Sequence, residues 1–361
     1  FKGKNDLASI DQDGILNINY DCVAFIVCLL SRIEEYESDQ LDIHQRFISV
    51  NSWSEKFGFT LIPVVDHWAD FLMYFLSANI NKDVKPVNNY AVHISHDVDV
   101  PYNFYKEAKV KRFIRSFLGS IYRREFERAY EVAKSLFIGS DVYDRFDFLM
   151  NISDKVNEKS TFNFIPQTTS KRWDADYRLD DIRIISLIQK ITSRGHNIGL
   201  HCSYNSNSIN NQITLEKEYL QSICEENGYQ QNIKSSRMHY LRWSTWQTAR
   251  KLARSGIKLD TTLGFAEKVG FRCGTARGYS PYDFETNQEI QIEILPMHMM
   301  DVTLWGYMKI RTKSDMLVLA KEIIDRVKEV NGTFNILWHN SDLVEKWKRE
   351  LYQEIIFYSK K

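Results

Sequence analysis

Seven short runs of β-prone residues, with helical patterns between several of them, constrain the fold of this chain more than any other feature. The runs lie at 90–96, 161–166, 196–201, 234–240, 257–263, 290–296 and 333–338. Helical periodicity occupies 180–194, 215–227, 245–255 and 314–330. Gly195, Gly228 and Gly256 follow three of these helices, where glycine closes a helix at least steric cost. A helix between two strands carries the chain back along the sheet, so the next strand runs parallel to the last. The pattern predicts an α/β protein with a parallel sheet, open or closed into a barrel.

Two regions stand outside the alternation. Residues 1–86 read as a separate, mainly helical N-terminal domain. Its 20–36 stretch is apolar around most of a helix, Ser52 with Glu55 three positions on forms a helix-start signal, and 66–76 is a second apolar helix. A polar stretch with Lys, Asp, Pro and Asn at 81–89 reads as a linker. The second region, 103–150, is an insertion after the first strand of the 87–361 unit. Lys106, Lys109, Lys111, Arg112 and Arg115 make its start basic, which reads as a solvated helix face before it reads as a clamp for an acidic glycan.

Composition excludes several functions. Lys+Arg and Asp+Glu balance at 47 each, so no global charge draws the chain to nucleic acid or an anionic membrane. No window approaches the ~20 apolar residues of a membrane span. The opening Phe1-Lys-Gly-Lys-Asn-Asp lacks the pattern of a signal peptide. The five cysteines, at 22, 28, 202, 224 and 273, form neither a CxxC pair nor an even framework. Reduced thiols and a cytoplasmic location are the expectation.

Polar residues gather where the predicted strands end. The first strand runs into Asp97 and Asp99, two residues apart and therefore on one face. Side-by-side acids repel unless a metal or a proton gives them different roles, so the pair reads as one base and one ligand. The third strand ends in Gly199-Leu-His201-Cys-Ser-Tyr-Asn205, the fourth carries Arg237-Met-His239-Tyr240, and the seventh ends in Trp338-His339-Asn340. Convergent strand ends are a stronger sign than any one motif, since a lone strand-end histidine is more often structural. Asp99 and His201 suit zinc, with Mn, Fe or Co as alternatives. Two residues compete for a third place. Asn205 lies one helical turn beyond His201, but His239 has the better donor and is preferred.

In this order and strand context the residues resemble the polysaccharide deacetylase superfamily, the NodB-like, carbohydrate esterase family 4-like proteins, over roughly 87–345. The resemblance implies a distorted (β/α)7 barrel. It also implies that Asp97 is the base, Asp99 and His201 hold the metal, Arg237 tunes Asp97, and His339 is the general acid. The family's His-x-x-x-His reads His201-x-x-x-Asn205 here, and its Arg-x-Pro-Tyr-like motif reads Arg237-Met-His-Tyr240. Ser31–Tyr36, Arg46-Phe47 and Pro63 are similar to a subfamily with its own small N-terminal domain. The implied reaction removes an N-acetyl group from an amino sugar of a cell-envelope polysaccharide or its precursor. A divalent metal would polarise the acetyl carbonyl, and a backbone N–H near Tyr240 would hold the oxyanion. Tyr240, Trp243, Trp246 and Tyr204 offer rings for a sugar, with core packing the plain alternative. Arg272 would touch substrate or, more simply, pair with Asp260. Asn205 in place of histidine motivates an amide hydrolase without a tightly held metal, and the incomplete ligand set allows a silent glycan-binding protein.

Overall fold

The computed structural model describes residues 8–12, 16–36, 38–80, 89–103 and 109–361. Residues 81–88 of the expected linker lie outside the described residues. So do Lys106 and the side chains of Lys109, Lys111 and Arg112 in the basic stretch.

Eight strands form one parallel sheet. Across it they run Glu293–Ile294, Leu259–Asp260, Ser235–Met238, Asn197–Cys202, Thr161–Phe164, Ala91–Val98, Thr333–Leu337 and Met299–Met300. The two edge strands are neighbours in sequence. From Ile294 to Met299 the chain advances five residues, at most about 18 Å when extended. A flat sheet would hold its edges about 34 Å apart, at about 4.8 Å per strand. The sheet must therefore curl. The stretch 293–300 is a single pass that bonds to one edge and then the other. Leu295 N–H donates to the Asp260 carbonyl (2.9 Å) and Met297 N–H to that of Leu263 (2.9 Å), then His298 N–H to that of Asn335 (3.0 Å). Seven chain passes thus form an α/β barrel, and the run expected at 290–296 extends to Met300, where it closes the wall.

Helices cover the outside because their apolar residues recur on one stripe. In Ile182–Ser193 the buried residues are Ile184, Leu187, Ile188 and Ile191, the spacing of a core-facing helix, and Asp181 caps its start by accepting from Arg183 N–H. Along Ala91–Val98 alternate side chains part company. His96 turns outward to Phe162 and Tyr352, while Ser95 and Asp97 turn inward to Arg237. The barrel interior is therefore polar beneath the ends of its strands. Among the described residues no helix is long and apolar enough to cross a membrane.

Among the described residues the N-terminal segment has a small antiparallel pair, Ala8–Ile10 with Leu16–Ile18, and then helices at Cys22–Leu30, Ile33–Tyr36, Trp53–Lys56 and Val64–Ile80, where Ser52 caps the third by accepting from Glu55 N–H. It joins the barrel through buried charge. Glu35 accepts from Arg32 Nε (2.9 Å) and Nη2 (2.7 Å), and from Arg272 Nε and Nη2 (2.8 Å each). Arg272 is thus neither a substrate contact nor a partner of Asp260, whose carboxylate accepts from Ser236 and Thr262 instead. Burial would raise the Glu35 carboxyl, but Arg272 and Arg32 outweigh it and hold it down at about 2, against an ordinary 4.5. Such a carboxylate stabilises the fold by about 3 kcal/mol at neutral pH. That contribution is complete above the unfolded value and is lost as pH falls through the folded one. Glu35→Gln leaves Arg272 without its counter-charge and Arg32 with Glu34 alone, and the expected cost at pH 7 is about 3–5 kcal/mol. Melting temperatures of both proteins between pH 7 and pH 2 check this: the gap narrows below about pH 4.5, and a constant gap would refute it.

Candidate active site

Three parallel strands and the turn that follows a fourth bring Asp and His side chains to a single cavity of about 190 Å³ at the C-terminal end of the barrel. Asp97, Asp99, His201, His239 and His339 line it, together with Arg46, Tyr240, Met300 and Tyr307. The i, i+2 relation of the two acids makes both face this space. His239 arrives differently from the expected strand face. Its strand ends at Met238, and His239–Leu241 form a tight turn with Tyr240 at φ 59° and Leu241 at φ 56°.

Each histidine has one ring nitrogen committed and the other aimed inward. His201 Nδ1 lies 2.9 Å from the Arg237 carbonyl. A carbonyl only accepts, so Nδ1 carries the proton and Nε2 is left with a lone pair. That Nε2 stands 3.2 Å from Asp99 Oδ1 and 3.6 Å from Asp97 Oδ2. His239 gives Nδ1 to Asp174 Oδ1 (2.9 Å), with Nε2 3.7 Å from Asp99 Oδ2. His339 gives Nδ1 to Asp301 Oδ1 (2.8 Å), with Nε2 3.6 Å from Asp99 Oδ2.

Asp97 is built differently from Asp99. Its Oδ1 accepts from Asn163 Nδ2 (2.8 Å) and Arg237 Nη1 (3.2 Å), which leaves Oδ2 facing the cavity. Asn163 reaches it because residue 199 is glycine: a Cβ there would stand 2.1 Å from Asn163 Oδ1. Burial raises the Asp97 carboxyl, but His201 and Arg237 bring it below the usual range, so it stays ionised. Asp99 is different again, because its Oδ1 is buried with no hydrogen-bond donor. Burial disfavours its charge, yet His239 and His201 hold it well below the ordinary carboxylate range.

A buried carboxylate oxygen without a hydrogen bond, beside inward-facing imidazole Nε2 atoms, is the arrangement a cation satisfies. Asp99, His201 and His239 present ligand atoms within 4.8 Å of one another. One carboxylate and two imidazoles, each imidazole fixed through its other nitrogen, fit a divalent ion such as zinc. Burial pushes His239 down, but Asp99 and Asp174 more than restore it, to about 9. Proton and metal therefore compete for its Nε2. His339, which burial would also lower, is held well above its ordinary value by Asp301, Asp99 and Asp97.

Other expected site residues lie elsewhere. Asn205 spends its amide on the protein: Nδ2 donates to the Thr169 carbonyl (3.0 Å), and Oδ1 accepts from Arg242 (3.4 Å). Trp243 packs in the main core, and buried Trp246 donates its indole N–H to the Ser31 carbonyl. Tyr204 is buried behind Tyr240, its hydroxyl 3.1 Å from His44 Nδ1. Of the five residues offered as substrate contacts, Tyr240, Trp243, Trp246, Tyr204 and Arg272, Tyr240 alone lines the cavity. Sequence reasoning missed Asp174, Asp301, Asn163 and Arg46. Asp301 carried a usable signal, since it follows the strand Met299–Met300 as Asp99 follows Val98. Asn163 sits in register beside Asp97 on the neighbouring strand.

The fold and the site together define a parallel α/β barrel with a two-histidine, one-carboxylate centre at the ends of its strands. Among known proteins, residues 2–81 match a family model described as a family of unknown function, DUF7033. No curated protein matches the chain. Solved structures with a similar fold include one described as a polysaccharide deacetylase from Mycobacterium smegmatis, at 16% identity and TM-score 0.47, covering 76% of this chain and 85% of that one. PuuE allantoinase is similar at 11% identity and TM-score 0.47, with the same coverage. The polysaccharide deacetylase Bc1974 from Bacillus cereus follows at 12% identity and TM-score 0.35, covering 75% of this chain and 86% of that one.

Proposed function

We propose that this protein is a metal-dependent hydrolase that removes N-acetyl groups from the amino sugars of a cell-envelope polysaccharide or its precursor. The observation that carries this is the division of labour in one small cavity: an ionised Asp97 with a free Oδ2, a donor set on Asp99, and His339 on the remaining side. Asp99, His201 and His239 would hold the ion, which supplies a Lewis acid for the acyl carbonyl and an acidified water. Asp97 takes the proton of the attacking water at Oδ2, because Arg237 and Asn163 occupy Oδ1. His339, as the imidazolium that Asp301 stabilises through Nδ1–H, donates from Nε2 to the leaving amine. A backbone N–H of the His239–Leu241 turn stabilises the oxyanion. The cavity admits a small acyl group, and the sugar remains at the mouth beside Tyr240 and Tyr307. The orphaned Asp99 Oδ1 supports this reading over one without a metal.

The test is acetate release from N-acetylglucosamine oligosaccharides by chelator-treated protein resupplied with Zn²⁺, Mn²⁺, Fe²⁺ or Co²⁺ in turn. Release should appear with at least one ion and vanish in excess chelator. Absence of release with every ion would overturn the proposal.

A further inference from the structure

The turn that carries His239 is strained, and what holds it comes from the N-terminal segment. Tyr240 and Leu241 are consecutive non-glycine residues in the left-handed region, which persists only where the surroundings impose it. The surroundings are residues 42–46. Asp42 Oδ1 accepts from the N–H groups of His44 (2.8 Å) and Arg46 (2.9 Å), which sets this short loop. Asp42 Oδ2 also fixes the Arg46 guanidinium, 2.7 Å from Nε. From there Arg46 Nη1 donates to the Tyr240 carbonyl (3.2 Å) and Nη2 to the Tyr307 hydroxyl (3.3 Å). On the other side of the turn Arg242 reaches back, donating from Nε to the His44 carbonyl (3.0 Å) and from Nη2 to Gln45 Oε1 (2.6 Å). The His44 ring lies 4.4 Å from that of Tyr240.

We propose that the 42–46 loop is a working part of the catalytic centre: Arg46 and His44 clamp the His239–Leu241 turn and so set the position of His239. A domain that merely covered the barrel would make its contacts along the wall. These contacts land on Tyr240, the residue that follows His239, and on Arg242 just beyond the turn, and Arg46 itself lines the cavity. Arg46 is thus a positioning residue, acting through Tyr240 on a ligand of the metal. The inference rests on the reading of Asp99, His201 and His239 as a metal site, but it does not need the substrate to be a glycan.

The experiment is a Zn²⁺ titration of the full chain against a chromophoric chelator, for wild type, Arg46→Ala, Arg46→Lys and Gln45→Ala. Groups that orient a ligand from outside the coordination shell typically change metal affinity by about 10–100-fold. Arg46→Ala is expected to weaken Zn²⁺ binding in that range, and Arg46→Lys to recover part of the loss. Gln45 is exposed, so Gln45→Ala folds; it should weaken binding, by less than Arg46→Ala does, by releasing one arm of Arg242. A merely structural role would lower the melting temperature and leave Zn²⁺ affinity unchanged. Wild-type affinity in folded Arg46→Ala overturns the proposal. If that variant does not fold, wild-type affinity in both Arg46→Lys and Gln45→Ala overturns it. Wild-type protein that binds Zn²⁺ but deacetylates nothing refutes the proposed function alone. Wild-type protein that binds no Zn²⁺ refutes both.

Discussion

Asp97→Asn is expected to lower kcat by about 10²–10⁴-fold while leaving the metal content at the wild-type level. The substitution keeps the shape of the side chain and the Oδ1 acceptor used by Asn163 and Arg237. It removes the charge and, at the position facing the cavity, the ability to accept a proton. The two measurements separate Asp97 from its neighbour, because Asp99→Ala should lose the metal first and the activity as a consequence. A cost in stability accompanies the change. Arg237 is fully buried and loses its counter-charge, although the Thr261 carbonyl and Ser95 Oγ continue to accept from it. Near-normal turnover in Asp97→Asn would remove this residue from the base role and shift attention to the imidazole of His339.

The parts of this molecule legible in the sequence are those that local periodicity controls. Asp97 and Asp99 could be put on one face because strand geometry fixes i and i+2, and His201 and His339 could be put beside them because parallel strands end together. The left-out parts depend on distant contacts. Asp174 and Asp301 gain their roles from histidines 65 and 38 residues away; Asp174 stands in no pattern that an acid on any loop would lack, and Asp301 is marked only by following a two-residue strand. Trp243 and Arg272 failed in the opposite sense. Their residue types suit ligand binding, but burial against the core and against Glu35 claims both. The tight turn at His239 was illegible because neither Tyr240 nor Leu241 is a residue that signals a left-handed backbone. The force that imposes it lies near residue 44, in a segment that reads as a separate unit.

Removing the His239 imidazole should abolish tight metal binding, whereas removing the Asn205 amide should leave it within about threefold of wild type. The contrast follows from what each side chain already does. Asn205 Nδ2 and Oδ1 are both engaged with protein groups, and freeing its oxygen for a metal would leave Arg242 without that acceptor. His239 has one nitrogen fixed by Asp174 and the other directed at Asp99, so its donor atom is oriented before any ion arrives. Outer partners such as Asp174 are worth about 10–100-fold in affinity, and a direct ligand should exceed them. His239→Ala is therefore expected to weaken Zn²⁺ binding by more than about 100-fold and Asp174→Asn by less, in the same titration. The dependence on pH has a definite sign. A proton on His239 Nε2 excludes the metal, and the nearby carboxylates hold that proton with a pKa of about 9. Zn²⁺ affinity should rise with pH toward that value in wild type and lose this pH dependence in His239→Ala. Unchanged affinity in His239→Ala, with loss in Asn205→Ala, would transfer the third place to the amide and leave the clamp at Arg46 without a ligand to position.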